Sequence, residues 1–199
     1  MMEKLYLITG TADLLERLVP LGVKLVQLRV KDAAPADLRV QTIRARECCA
    51  KHGAQLILND YWELALELGL DFVHLGQEDM DAADFGALRR AGVRYGLSTH
   101  DDDELERALA LDPAYVALGP VYPTILKQMK WAPQGVDRVR EWKSRVGQTP
   151  LVAIGGLTPE RAVGVLHAGA DSAAVVTDIQ LADSPEARTQ EWLATLRDV

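Results

Sequence analysis

Residues 56–80 read LILNDYWELALELGLDFVHLGQEDM. An apolar β-rich run, an amphipathic helical segment and a second apolar run follow one another, which reads as strand, helix, strand. Each strand ends in a polar cluster: the first at Asn59-Asp60, the second through His74 into Gly76-Gln77-Glu78-Asp79. Parallel strands joined by a crossover helix bring their C-terminal ends to one face of the sheet. Asp60 and Asp79, 19 positions apart in sequence, are therefore expected side by side. Two carboxylates there suit a hard cation such as Mg²⁺, which takes one or two carboxylates and leaves its other positions to water and phosphate oxygens. The competing reading makes each aspartate a helix N-cap.

The same alternation extends in both directions. Strands are expected at 5–9, 25–29, 55–59, 72–75, 94–98, 115–118, 151–154 and 172–176. Helices are expected at 13–19, 35–52, 61–68, 82–91, 101–111, 136–146, 159–168 and 185–197. About eight β/α units predict an α/β fold of the (β/α)₈ TIM-barrel type, with parallel strands in a single domain over residues 1–199. An open doubly wound sheet would usually carry a glycine-rich first turn, and Thr9-Gly10-Thr11 does not supply GxGxxG. Glycines 22, 53, 69, 92 and 169 stand where helix C-caps are expected. The longest irregular segment, 119–135, carries three prolines, and a loop of that length in a compact barrel is usually functional.

With 199 residues, 48% hydrophobic and 26% charged, the chain can bury a full core. No apolar run approaches the roughly 20 residues of a membrane span. A net charge of −7 argues against nucleic-acid or anionic-membrane partners. The N-terminus enters strand-like sequence without a signal-peptide layout. Cys48 and Cys49 are adjacent on a helical pattern and lack metal-site spacing. These features predict a cytoplasmic protein with free thiols and leave homo-oligomer formation open.

In a barrel the site lies at the C-terminal ends of the strands. Gln27-Leu28-Arg29-Val30-Lys31 alternates, so Gln27, Arg29 and Lys31 share the inward side at the mouth. There the two cations would meet an anion such as phosphate; a surface charge pattern is the alternative. Other strand ends contribute Asn59, His74, Ser98, His100, Thr124, Lys127 and Thr177. His74 reads equally as a packed interior residue, His100 as a partner of the neighbouring acids, and Lys127 as a solvated lysine. Gly155-Gly156 opens a strand-to-helix turn whose backbone N–H groups could hold a phosphate. Carboxylates, cations and phosphate-type turns on one face suggest Mg²⁺ holding a diphosphate, with a second phosphate bound opposite.

The segments QLRVKD (27–32), LNDYWELA (58–65), VHLGQEDM (73–80), GLSTHDDDEL (96–105), ALGPVYPTILK (117–127), VAIGGL (152–157) and AGADSAAVV (168–176) resemble those of the thiamine phosphate synthases, in that family's order. The resemblance implies a (β/α)₈ barrel that joins a hydroxymethylpyrimidine diphosphate to a thiazole phosphate, which in some members carries a carboxylate. It also implies that diphosphate leaves first and that the thiazole nitrogen attacks the resulting pyrimidine-methyl cation. It implies Asp60 and Asp79 as Mg²⁺ ligands. Gln27, Arg29, Lys31, Asn59, Ser98 and Lys127 would contact the pyrimidine diphosphate, with Arg29, Lys31, Ser98 and Lys127 taking part in catalysis. Thr124, Leu126, Gly156, Val176 and Thr177 would surround the thiazole phosphate. Two positions depart from the family pattern. Leu126 stands where a threonine hydroxyl is usual, and Asp178 adds a negative charge beside the expected phosphate. Both fall on the thiazole side, so altered thiazole recognition with normal diphosphate binding is expected. A related barrel that binds thiazole phosphate without joining it, a tautomerase or a regulator, is the alternative; so is another phosphate-binding barrel enzyme of isomerase type.

Overall fold

The computed structural model describes residues 2–124 and 131–199. Eight parallel strands close into a barrel in sequence order: β1 (Leu5–Thr9), β2 (Leu25–Leu28), β3 (Gln55–Asn59), β4 (Phe72–Leu75), β5 (Arg94–Thr99), β6 (Tyr115–Leu118), β7 (Leu151–Ile154) and β8 (Ser172–Val175). Closure comes from β1 against β8, with Leu5 opposite Ala173 and Leu7 opposite Val175. Around them run α1 (Ala12–Leu18), α2 (Pro35–His52), α3 (Trp62–Leu68), α4 (Gln77–Ala82), α5 (Phe85–Arg90), α6 (Asp102–Leu109), α7 (Gly135–Val146), α8 (Pro159–His167), α9 (Thr177–Gln180) and α10 (Pro185–Thr195).

The twofold period of each strand divides its side chains between two cores. Tyr6, Ile8, Leu25, Ile57, Phe72, Tyr115, Ala117, Val152 and Ala174 fill the barrel interior. Leu7, Val26, Leu58, Val73, Leu97 and Val116 point outward against Leu15, Leu38, Leu88, Leu105, Trp142, Val165 and Trp192 of the helices. Both faces are buried, so the strands read as continuous apolar runs. Side chains cap the helix starts: Thr11, Asp84, Asp101, Thr158 and Ser184 each accept a backbone N–H three residues on. Gly53 and Gly69 end α2 and α3 in the left-handed region.

The structure corrects the sequence in two places that matter to the mouth. The helix expected at 82–91 is the shorter α5, which Asp84 starts by accepting from Ala87 N–H, and the unexpected helix α4 precedes it where a polar strand end was expected. The expected eighth strand stops at Val175: Val176 turns to φ −124°, ψ −84°, and the short helix α9 begins. No helix among the described residues is long and apolar enough to cross a membrane. Cys48 and Cys49 are free thiols on α2, and burial pushes the Cys49 thiol up to about 12, which leaves it inert at neutral pH.

Gly96 holds the interior layer together by what it lacks. It pairs in register with Tyr115, and a Cβ there would lie 2.0 Å from the Tyr115 ring. Replacing Gly96 with alanine is expected to destabilise the fold by about 3 kcal/mol through overpacking. A chemical-denaturation midpoint unchanged from wild type would contradict this packing.

Candidate active site

The C-terminal ends of the strands enclose a cavity of about 420 Å³. Its walls include Gln27, Arg29, Lys31, Asn59, Asp60, Asp79, Ser98, Thr124, Gly156, Val176 and Thr177. The structure thus gathers every described candidate from the sequence at one mouth; Leu126 and Lys127 lie outside the described residues. A more open depression of about 570 Å³ at the opposite barrel end is lined by Lys24, Gln55, Phe72 and Arg94. Its two cations are already engaged: Arg94 bonds Asp71 and Gln55, and Lys24 donates to the His52 carbonyl.

Asp60 follows β3 in the left-handed region, at φ 65°. Its N–H extends the β3–β4 ladder to the His74 carbonyl at 2.8 Å, while Tyr61 N–H turns back to the Asn59 carbonyl at 2.8 Å. Aspartate tolerates this backbone better than most residues, and strain of this kind collects at functional sites. The N-cap of α3 is Tyr61, without a side-chain bond, so the capping alternative for Asp60 does not hold. Its carboxylate instead meets Lys31 Nζ at 2.6 Å. Asp79 sits in the first turn of α4 and accepts from Gly76 N–H at 3.2 Å. It therefore contributes to a cap from the third helical position rather than as the N-cap residue. Burial pushes the Asp79 carboxyl above its usual range, and the charge and hydrogen bonding of Asp60 push it further. Two carboxylates crowded this way repel until a cation or proton joins them.

Arg29 lies half-buried in the same wall, and no ion pair of its guanidinium falls among the described residues. Asn59 is 4% exposed, and its Nδ2 is a buried donor with no partner among the described residues. A buried polar group left unpaired costs free energy, so Asn59 awaits an acceptor from a ligand. Across the mouth, Gly155 and Gly156 at φ 104° and 61° lie against the 120–123 segment; a Cβ on Gly156 would stand 2.3 Å from the Pro123 carbonyl. Val121 and Tyr122 N–H groups bond the Ile154 and Gly155 carbonyls at 2.9 and 3.0 Å. α9 is latched to β1 by Gln180 Nε2 on the Ile8 carbonyl at 2.8 Å. Asp178 lines the cavity, and its carboxylate is held from α10: Arg188 grips both oxygens at 2.8 and 2.9 Å, and the Trp192 indole donates at 2.7 Å. This pairing offsets the negative charge that the sequence places beside the expected phosphate.

His100 partners a neighbouring acid, as one sequence reading had it: its backbone N–H and Nδ1 both meet Glu104 Oε2. Four features escaped the sequence reading. The His100 ring stacks on Trp131 at 4.0 Å. The Asp178–Arg188–Trp192 cluster spans two helices with no local pattern to reveal it. The helices α4 and α9 are too short for a periodic signal. Last, a buried hydrogen-bond chain runs from Gln27 through Tyr6, Tyr115 and His74 to Ser98. Burial holds the Tyr6 and Tyr115 hydroxyls well above their usual range, so both stay protonated.

His74 is an interior residue, as one sequence reading had it. Burial lowers its imidazole from 6.5 to about 4, with the charge of Asp60 opposing and that of Arg29 assisting. The folded state therefore leaves His74 neutral where the unfolded chain takes up a proton. The resulting stability is fully present above pH 6.5 and is lost as pH falls toward 4. The expected loss over that window is roughly 3 kcal/mol. Urea unfolding at several pH values checks this, and His74→Asn should flatten the slope.

Fold and mouth define a (β/α)₈ barrel protein with a charged cavity at the strand C-termini. The model of the thiamine monophosphate synthase family matches residues 5–179. The thiamine-phosphate synthase of Rhizobium etli is 64% identical over 193 residues, covering 97% of this chain and 95% of that protein. The one from Neisseria meningitidis serogroup A is 46% identical over 191 residues, covering 96% and 93%. A solved thiamine phosphate pyrophosphorylase from Pyrococcus furiosus superposes with a TM-score of 0.86 at 23% identity, covering 98% of this chain and 96% of that one, a likeness of fold. The chain belongs to the thiamine monophosphate synthase family.

Proposed function

We propose that this protein is a thiamine-phosphate synthase that joins a hydroxymethylpyrimidine diphosphate to a thiazole phosphate, releasing diphosphate and thiamine phosphate. Family membership sets the reaction class. The carrying observation at the site is the crowded Asp60–Asp79 pair beside Lys31 and Arg29. Such a set of charges suits a metal-bound diphosphate and gives no obvious acid/base pair for an isomerase.

Asp60 and Asp79 are the residues to hold Mg²⁺, and their like-charge crowding fits a cation between them. Bound there, Mg²⁺ would neutralise charge on the departing diphosphate. Arg29 and Lys31 supply further positive charge where the leaving group gains negative charge. Asn59 Nδ2 offers its unused donor, and Gln27 and Ser98 face the pyrimidine. Lys127, outside the described residues, is assigned to this half as well. The bond from the pyrimidine methylene carbon to the diphosphate oxygen breaks, and its electron pair leaves with the diphosphate. The thiazole nitrogen lone pair then forms the new bond to that carbon. Little proton transfer is required, which accords with a site built of charges and donors. Thr124, Gly156, Val176 and Thr177 line the part of the mouth assigned to the thiazole phosphate, whose turn after β7 suits an anion, and Leu126, outside the described residues, is assigned to the same half. The free thiols suit a cytoplasmic place of action.

Diphosphate release tests this assignment of halves. Release should require Mg²⁺ and the pyrimidine diphosphate, and it should be accelerated by the thiazole phosphate. Release at an equal rate after complete chelation of divalent metal would overturn the metal assignment.

A further inference from the structure

We infer that Tyr6, Tyr115 and His74 are positioning residues: their buried hydrogen-bond chain, started by the Gln27 amide, turns the Ser98 hydroxyl proton outward into the cavity. The inference deepens the proposed function and rests on Ser98 facing the pyrimidine diphosphate.

The argument is one of proton counting. Gln27 Nε2 lies 2.7 Å from the Tyr6 hydroxyl, and an amide nitrogen only donates. Tyr6 thus accepts from Gln27, and its own proton has one partner, the Tyr115 oxygen at 2.8 Å. Tyr115 in turn has its proton free for His74 Nδ1 at 2.7 Å. A neutral imidazole accepting at Nδ1 carries its proton on Nε2. That proton goes to Ser98 Oγ at 2.8 Å. Ser98 accepts from within, so its own proton is left for the cavity it lines. The opposite order would leave the Tyr6 proton buried without an acceptor, since its only other neighbour in the chain is a donor. Tyr6, Gln27 and Tyr115 are 1, 2 and 1% exposed, so water does not substitute for a missing partner. Packing fixes the chain in place: the Tyr115 ring fills the space above Gly96, stacks on His74 at 5.6 Å and meets Tyr6 edge-on at 5.8 Å. Ser98 thereby reaches the substrate as a donor already oriented before binding, which lowers the cost of forming that bond.

Two measurements test this. Nitrogen-15 NMR of the wild-type protein should find the His74 proton on Nε2; a proton on Nδ1 overturns the inference without touching the assignment of the reaction. In steady-state kinetics, Tyr115→Phe should lower kcat/KM roughly tenfold, the worth of about one hydrogen bond. In a Ser98→Ala background the same change should have no further effect. Equal losses in both backgrounds would show that Tyr115 acts by structure alone and overturn the inference. If Tyr115→Phe folds poorly, the His74 tautomer in the wild-type protein decides alone. Full activity of Ser98→Ala would overturn the placement of Ser98 itself, and the inference with it.

Discussion

Asp79→Ala is expected to lower metal-dependent turnover by about a hundredfold or more while the protein stays folded. Two magnitudes set this apart from a capping effect. Asp79 accepts one hydrogen bond from Gly76 N–H, and a lost cap of this kind costs about 1 kcal/mol. Removing one of two crowded carboxylates also relieves repulsion with Asp60, so the net change in stability should be small. Loss of a group that stabilises transition-state charge costs on the order of a hundred- to a thousandfold in rate. The checks are steady-state turnover across a Mg²⁺ titration and a thermal melt of the same preparation. Wild-type turnover in Asp79→Ala would reduce Asp79 to a helix cap. The raised Asp79 carboxyl adds a sign: metal affinity should weaken with falling pH earlier than for an ordinary aspartate, because the protonated acid is no ligand.

Arg188→Ala is expected to produce the largest loss of stability among the charged positions near the mouth, together with a poorer KM for the thiazole phosphate. The side chains of Arg188 and Asp178 are 24% and 18% exposed. Breaking a buried pair by deleting one partner costs about 3–5 kcal/mol; with this much solvent access, roughly 2–3 kcal/mol is expected. For a chain of this size that is a fall in melting temperature on the order of 5–10 °C. The freed Asp178 carboxylate, next to Thr177 at the start of α9, would then oppose the thiazole phosphate. Adding Asp178→Asn should restore KM without restoring the lost stability. A single variant with normal KM would show that Asp178 never turns toward the site.

The barrel was legible because each strand is buried on both faces and each helix on one. β1, β3, β4, β6 and β7 fall on the expected residues. Polar residues at the ends of apolar runs stood out for the same reason, since nothing in a barrel core calls for Asp60 or Asp79. The sequence does not tell how those side chains are held. The competing cap reading of Asp60 could not be dismissed from sequence, and its left-handed backbone instead aims it at Lys31. Gly-Gln-Glu-Asp looked like a polar strand end because α4 is only six residues long. Asp178 looked like a liability because its partners Arg188 and Trp192 lie ten and fourteen residues on. The Tyr6–Tyr115 contact crosses 109 residues, and a continuous apolar strand does not reveal which of its side chains face inward. The altered position Leu126 lies outside the described residues, so its effect on the thiazole side is a matter for kinetics.

The most direct test of the central claim is formation of the product. Purified protein is mixed with pyrimidine diphosphate and thiazole phosphate, with and without Mg²⁺, and thiamine phosphate is measured as its fluorescent oxidation product. The charged mouth predicts thiamine phosphate only when both substrates and Mg²⁺ are present. No thiamine phosphate at high protein concentration in the complete mixture would contradict it.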